Sequence, residues 1–490
     1  TAYEIPKRDW SSDVCSSDLA AAGRADMKAL LSTSRRVHIV GIGGPGTSAI
    51  AIVLSEMGHR VSGSDMREGP AIGQLRSRGI AVNVPHHVDA VRDCDIVTSS
   101  AAVPARNIEL AAARAMGTTV LSRAEMLGAI TPHARTIAVA GTHGKTTTTS
   151  LLTVMLRADR RDPGYLIGAD VPQLPASAHW GSDIFVLEAD ESDSSHLAID
   201  AHAAIVTNID TDHLDEHGSL AGIIESFDAF LAATTGPRVV CADDMAAARL
   251  GARHGAITYG VSPAADVRAS DVRFVGGGAI FRAHFGDAYD ESLEVRLPLR
   301  GVHNVRNCLA ALAMATQLGV TPANAAAAVN DFAGVQRRFH VRAINGGATF
   351  VDDYAHLPAE IDAVLAAARD ESDDWRRVIA VFQPNRFHRM AIMSDEYRDA
   401  FRHADVTVIT DIYASGTERI DGVTGHLVVD AVRRAHPEAR VVWCAERSEL
   451  IDFVAREARA GDLCISMGCG DIETLPDEVV ARREELSRGR

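Results

Sequence analysis

Short apolar runs rich in branched residues recur along the chain. Most are followed by a Gly-rich or polar turn and then by a stretch with apolar residues at helical spacing. The clearest runs are 37–42, 96–100, 137–140, 184–188, 203–206, 378–382, 406–412, 441–444 and 463–467. Continuous apolar runs alternating with amphipathic helices predict an α/β fold built on largely parallel sheets, whose strands are buried on both faces. A chain of 490 residues suits about three such domains. Breaks in the pattern place them at 35–132, 133–336 and 337–490, with 1–34 outside them as an N-terminal extension.

Two turns carry chemistry. The run 137–140 enters Gly141-Thr142-His143-Gly144, then Lys145, four threonines and a helix marked by Leu152, Met155 and Leu156. Strand, small-residue loop, lysine and threonine make a phosphate loop: backbone N–H groups and the helix N-terminus attract an anion, Lys145 reaches terminal phosphates, and Thr146 can ligate Mg2+. Val139 stands where the usual pattern has its first glycine, so the loop is short. Of 49 basic residues only Lys7, Lys28 and Lys145 are lysine. A lysine retained in so arginine-rich a chain fits a position that needs a compact ammonium. The earlier turn has Gly41, Gly43, Gly44 and Gly46 after a strand, with a second strand ending at Ser64-Asp65. This is a βαβ unit with a diphosphate-binding turn and an acid about 20 residues on, suited to NAD or to a UDP-sugar.

Further polar residues cluster at strand ends: His87, Ser99, Ser100 and Arg123 in the first domain, and Glu188, Asp190, Glu191 and Asp193 in the second. A second central cluster holds Asn208, Asp210, Asp212, His213 and Asp215. In a parallel sheet both central clusters emerge beside the phosphate loop, where carboxylates and a histidine suit a hard cation on nucleotide phosphates. Asn304 and Asn307, one helical turn apart, face one way and can read a base edge or cap their helix. In the third domain Arg337, Arg338, Asp353, Tyr354, His356, Arg386 and Arg389 are candidates for gripping a phosphate or carboxylate.

A formal charge of −16 argues against a nucleic-acid or anionic-membrane surface. Seven scattered cysteines form neither a disulfide framework nor a zinc spacing. Neither a membrane-spanning run nor a signal peptide is predicted, so a cytoplasmic protein is expected. Residues 8–19, RDWSSDVCSSDL, resemble the translation of a sequencing-library adapter. Residues 1–26 are therefore set apart from the fold, with Met27 a candidate start.

In order along the chain, GIGGPG, AGTHGKTTTTS, EADESDSS, NIDTDHLDEHG, GVHNVRN, VQRRF, DDYAH, FQPNRFHR and GCGDI resemble the Mur ligase family, and most closely its alanine-adding branch. The resemblance covers about Arg36 to Leu475 and implies three domains: a Rossmann-like UDP-sugar domain, a P-loop ATPase and a Rossmann-like ligase domain. It implies ATP and two Mg2+ ions as cofactors, with UDP-N-acetylmuramate and L-alanine as substrates. By the same resemblance, Gly141, Thr142, His143, Gly144, Lys145, Thr146 and Thr147 would hold the ATP phosphates. Asn304 and Asn307 would meet adenine, and Arg338 and Asp353 would reach the nucleotide from the third domain. Thr146, Glu188 and His213 would ligate metal. Gly43, Gly44, Gly46, Ser64, Asp65, His87, Ser99 and Ser100 would hold the UDP-sugar. Tyr354, His356, Asn385, Arg386 and Arg389 would surround the amino acid, with Lys145, Arg338, His356, Arg386 and Arg389 acting on the reaction.

Two positions depart from the family pattern: Leu357 and Asn385 stand where histidines are usual, and asparagine cannot take up a proton near neutral pH. Three other readings use parts of this pattern. A tripeptide-adding recycling ligase would share the ATP motifs. A nicotinamide-dependent dehydrogenase would use the first glycine turn but leave the phosphate loop idle. A catalytically silent relative would be consistent with Leu357 and Asn385.

Overall fold

The computed structural model describes residues 24–100, 102–211, 219–286, 292–370 and 375–488. Among them lie three sheets, one per domain, and the fold is three-domain α/β with largely parallel strands. The first sheet contains β1 (Arg36–Val40), β2 (Arg60–Ser64), β3 (Ala81–Asn83), β4 (Ile96–Ser99) and β5 (Thr119–Leu121). Its order is β3-β2-β1-β4-β5, all parallel. The winding reverses between β1 and β4, which opens a crevice at their carboxyl ends. The glycine turn Gly41–Gly44 leaves β1 at that crevice, and Pro45 starts the helix Pro45–Glu56 behind it. The predicted strand 37–42 thus stops two residues early, because Gly41, at φ +76°, turns the chain.

The central sheet contains β6 (Arg135–Ala140), β7 (Gly164–Leu166), β8 (Ala178–His179), β9 (Ile184–Glu188), β10 (Ala203–Val206), β11 (Arg238–Cys241), β12 (Ile257–Gly260), β13 (Val267–Val275), β14 (Gly278–His284) and β15 (Leu293–Leu297). Its order is β15-β14-β13-β12-β11-β10-β6-β9-β7-β8. Strand β6 lies between β10 and β9, parallel to both, so the ends of all three meet where the phosphate loop begins. An antiparallel meander, β13 to β15, extends one edge. Its β13 is buried at Val267 and Ala269 and exposed at Asp271, Arg273 and Val275, past an irregularity in its pairing with β14.

The third sheet contains β16 (His340–Asn345), β17 (Ala348–Asp353), β18 (Arg377–Phe382), β19 (Val406–Ile409), β20 (Val441–Trp443) and β21 (Asp462–Met467), in the order β16-β17-β21-β18-β19-β20. Only the β16–β17 pairing is antiparallel. The predicted strand 406–412 ends at Ile409, opposite Phe382, the last residue of β18, with Thr410 N–H to Phe382 O closing the ladder.

One face of the central sheet packs under the helices Lys145–Ala158 and Val302–Gln317. Its other face shares a continuous core with the first domain, joining Ile39 and Leu54 to Phe185 and Phe227. Glu56 reinforces that junction: its Oε2 accepts from Trp180 N–H at 2.7 Å and lies 2.8 Å from His179 Nδ1. Residues 24–30 were set apart by the sequence, yet they form a helix whose Met27 and Leu30 pack on this core beside buried Leu31. Met27, Leu30 and Leu31 have the i, i+3, i+4 spacing of an amphipathic face, which proximity to the adapter-like stretch obscured. The third domain has cores of its own. Arg300 joins it to the central domain, its guanidinium 5.5 Å from the Phe339 ring and 5.6 Å from the Trp375 ring. Among the described residues no helix is long and apolar enough to cross a membrane.

Phe185, fully buried in the shared core and packed on Trp180 at 5.2 Å between rings, gives a stability prediction. Phe185→Ala lowers the unfolding free energy of the unit that holds it by about 3–5 kcal/mol. Urea titration checks this, and a change below about 1 kcal/mol contradicts the shared core.

Candidate active site

The phosphate loop is short, and its shape demands glycine at two places. Gly141 has φ +125°, and a Cβ there would lie 2.1 Å from Thr207 Oγ1. Gly144 has φ +83°, and a Cβ there would lie 2.3 Å from Asn307 Oδ1. The main chain between them is held from β10: Thr207 Oγ1 and Asn208 Nδ2 donate to His143 O, and Asn208 Oδ1 accepts from His143 N–H. The helix Lys145–Ala158 then begins with no side chain capping its first N–H groups. Uncapped donors at a helix start form a place for an anion.

Lys145 is largely buried, its Nζ donating to Gly141 O (2.8 Å) and to Glu191 Oε2 (2.8 Å), with Asp190 Oδ1 at 3.9 Å. Burial alone would lower its pKa, but the Glu191 and Asp190 carboxylates outweigh that and raise it, so the ammonium stays charged. Burial in turn would raise Asp190, and Lys145 brings it down to about 2. Thr146 Oγ1 donates to Glu188 Oε2 (2.9 Å), while Glu188 Oε1 accepts from Gly168 N–H (2.6 Å). Burial raises the pKa of Glu188 despite these bonds. A hydroxyl and a carboxylate side by side are the hard oxygen donors that Mg2+ takes, so this pair fits the ion. Among the described residues no group of three His, Cys, Asp or Glu side chains converges as a metal site. His213, the other expected ligand, lies outside the described residues, as do Asp212 and Asp215.

Two cavities adjoin the loop. The first, about 260 Å3, takes His143, Gly144 and Thr147 from the loop side, Asn304 and Asn307 from one helix, and Arg338 and Asp353 from the third domain. Asn307 Nδ2 donates to Asn304 Oδ1 (3.2 Å), so the two amides do face one way. Asp353 accepts from Phe339 N–H (2.6 Å) and Ala355 N–H (2.7 Å), and Arg338 lies over the Tyr354 ring at 5.3 Å. His303, which the sequence reading left out, also lines this cavity. Burial, together with Arg306, Arg338 and His143, lowers its pKa to about 4, so it is neutral.

The second cavity, about 370 Å3, collects residues from all three domains: Gly44, Gly46, Ser100 and Arg123, then Lys145, Glu188 and Asp190, then Arg386. Arg123 pairs with Asp193 at 2.5 Å across the first junction. Arg386, at φ +61°, starts the helix Phe387–Met393, and its N–H bonds to Tyr413 O.

Other expected residues stand farther back. Asp65 Oδ2 accepts from Gly43 N–H (2.9 Å) and so braces the glycine turn. Ser64 is buried; its hydroxyl bonds to Glu109 Oε2 and lies 2.8 Å from His86 Nδ1. His87 faces solvent and receives the Asp89 N–H, whereas its neighbour His86 turns inward, 3.4 Å from Glu109. The sequence reading missed His86 and Glu109. The HHVD run offers two adjacent histidines, and only the packed path of the chain decides which points in. Ser99 ends β4 half-buried. Tyr354 and His356 meet edge to face at 5.4 Å. Asn385 and Arg389 are buried together, Arg389 Nη1 donating to Asn385 Oδ1 (3.1 Å). Leu357 is buried at the start of the helix Pro358–Arg369.

Glu360 was also missed. Its Oε2 accepts from His356 N–H (3.0 Å) and Leu357 N–H (3.2 Å), and its Oε1 lies 3.2 Å from His143 Nδ1. A proline at the first helical position with an acid two residues on, as in Pro358-Ala359-Glu360, is a helix-start signal that could have marked it. His143 has Asp210 Oδ2 3.5 Å from its other nitrogen. Burial would lower the histidine's pKa, but these two carboxylates raise it to about 9.

Family models match the chain in three consecutive stretches: "Mur ligase family, catalytic domain" over residues 36–135, "Mur ligase middle domain" over 139–315, and "Mur ligase, glutamate ligase domain" over 337–470. The chain is 40% identical over 463 residues to the UDP-N-acetylmuramate–L-alanine ligase of Sorangium cellulosum, covering 92% of this chain and 97% of that one. It is 41% identical over 454 residues to the ligase of the same name from Acidothermus cellulolyticus, with 91% and 94% covered. Among solved structures, the UDP-N-acetylmuramate-alanine ligase of Thermotoga maritima superposes with a TM-score of 0.78 at 27% identity, over 92% of this chain and all of that one. The murein peptide ligase of Psychrobacter arcticus shares the fold, with a TM-score of 0.67 at 24% identity over 91% and 98%. The sequence motifs, the three sheets and these matches agree: the chain belongs to the Mur ligase family.

Proposed function

We propose that this protein joins L-alanine to the carboxylate of UDP-N-acetylmuramate at the expense of ATP, in the cytoplasm, as a step of peptidoglycan precursor synthesis. The observation that carries this reading is the second cavity, where a diphosphate-type glycine turn, the phosphate-loop lysine and an arginine of the third domain face one space. In this reading the domains 35–132, 133–336 and 337–490 bind the UDP-sugar, the ATP and the amino acid respectively.

Gly44, Gly46 and Ser100 face the UDP-sugar, on a turn shaped by Gly43 and Asp65, with Ser64 behind His86. Asn304 and Asn307 take the adenine in the first cavity, and Arg338 and Asp353 close it from the third domain. The loop from Gly141 to Thr147 wraps the phosphates. Thr146 and Glu188 would hold Mg2+, which when bound spreads the charge of the phosphate oxygens. Lys145, already charged and held by carboxylates, supplies a positive group where two anions must approach. The substrate carboxylate attacks the γ-phosphorus, giving an acyl phosphate and ADP. The neutral amine of L-alanine then attacks the acyl carbon, and inorganic phosphate leaves. Arg386 orients the carboxylates from the third domain, and Tyr354, His356, Asn385 and Arg389 of the same domain are assigned to the amino acid. An acyl phosphate is hydrolysed by water, so a cavity closed by three domains protects it.

The direct test is ADP release by purified protein with UDP-N-acetylmuramate, ATP and Mg2+, with and without L-alanine. The reading expects sustained multiple-turnover release only with alanine, and a nucleotide product heavier by one alanyl unit; equally fast turnover without alanine, or no alanylated product, overturns it. Lys145→Ala lowers kcat/KM by about 1,000-fold or more, the order seen when a charge-stabilising group is removed. An unimpaired variant takes the loop out of the reaction.

His143 supplies a pH prediction. Its folded pKa of about 9 lies above the ordinary 6.5, so its bridge to Glu360 and Asp210 stabilises fully below pH 6.5 and is lost as pH rises through 9. Relative to His143→Asn, the melting temperature of the wild type falls across that window; parallel curves for the two proteins contradict the bridge.

A further inference from the structure

We propose that Glu360 is a positioning residue that couples the third domain's substrate-facing loop to the phosphate loop, an inference that rests on the ligase reading above. One carboxylate touches both sides of the domain junction. Oxygen Oε2 gathers the main-chain N–H groups of His356 and Leu357 and lies 3.3 Å from His356 Nδ1. Oxygen Oε1 faces His143 Nδ1 across the junction at 3.2 Å. Its side chain is only 13% exposed and forms part of the wall of the first cavity.

The positions it joins are the ones that must register for group transfer. On one side, His143 is the middle of the phosphate loop, its main chain fixed by Thr207 and Asn208. On the other, His356 and Tyr354 sit at the end of β17, and Tyr397 Oη donates to His356 O (2.8 Å), tying that loop to the third domain's body. When the third domain docks, Glu360 gains its His143 contact, and the loop carrying His356 takes its final place relative to the phosphates. A carboxylate serves both sides because each oxygen only accepts. Glutamine at this place would keep one accepting oxygen for the two N–H groups but turn its NH2 toward a histidine that is itself a donor. Glu360→Gln therefore separates the two halves of the role: the loop stays capped and the link across the junction is lost.

The experiment compares wild type, Glu360→Gln, His143→Asn and the double variant. In the first arm, kcat and KM are measured in the alanine-dependent reaction. Glu360→Gln lowers kcat about 10- to 100-fold, the cost of losing registration between reacting groups, with the KM for UDP-N-acetylmuramate unchanged. The double variant is no slower than the slower single one, since both remove the same contact. In the second arm, amide hydrogen exchange is followed with a non-hydrolysable ATP analogue and Mg2+. The nucleotide protects residues 142–145 and 354–357 together in the wild type, but only 142–145 in Glu360→Gln. A Glu360→Gln protein with wild-type kcat and joint protection overturns the proposal, as do single effects that simply add. Joint protection in the wild type and its loss in the variant, without alanine-dependent turnover in either, would refute the ligase reading and leave the coupling standing.

Discussion

The structure is organised by the need to keep a buried positive charge beside an anion site without neutralising it. Lys145 is largely surrounded by protein, and its ammonium persists because Glu191 and Asp190 lie against it and Gly141 O accepts a hydrogen bond from it. Without those carboxylates, burial would push the pKa of the lysine down. With them, the lysine stays charged and can exchange part of its contact for a phosphate oxygen at modest cost. The order of strands follows from this demand. Only with β9 and β10 flanking β6 do the acids after β9 and the amide of Asn208 after β10 reach the same short loop.

The loop contributes to both cavities and so divides the work. Gly144 and Thr147 face the first, with paired asparagines and a neutral histidine suited to a base and its phosphates. Lys145 faces the second, with the first domain's glycine turn and Arg386. The first and central domains share a core and behave as one floor. The third has separate cores and meets them through polar and cation–aromatic contacts. A domain attached in this way can dock and leave without exposing a large apolar surface, as a site that must admit three substrates and exclude water requires.

Much of this was legible in the residues. The apolar runs marked β1, β4, β6, β9, β10, β18, β19, β20 and β21 to within a few positions, because parallel strands buried on both faces leave continuous apolar stretches, whereas β7, β8, β11, β12 and the meander β13 to β15 were not marked. The phosphate loop, the acids after β9 and the facing pair Asn304 and Asn307 were readable because each depends on local spacing. What escaped depends on tertiary packing. His86 rather than His87 turns inward, and buried Glu109, which holds Ser64, has no local signature. Glu360 looked like an ordinary acid in the first turn of a helix until its second oxygen was seen to meet His143 from another domain. The helix Arg24–Leu30 was hidden by its neighbour's foreign-looking composition. Leu357 and Asn385, departures in sequence, are both buried: one precedes the helix Pro358–Arg369 and the other pairs with Arg389. Each is accommodated by its surroundings.

The central claim is that the carboxylate attacks phosphorus to form an acyl phosphate, which the amine then attacks at carbon. The most direct test is isotope transfer, using UDP-N-acetylmuramate carrying 18O in its lactyl carboxylate, with ATP, Mg2+ and L-alanine, and mass analysis of the released phosphate. The account predicts one 18O atom in each inorganic phosphate formed, because the oxygen that attacks phosphorus leaves with it. Phosphate free of 18O, with alanylated product still formed, would contradict it.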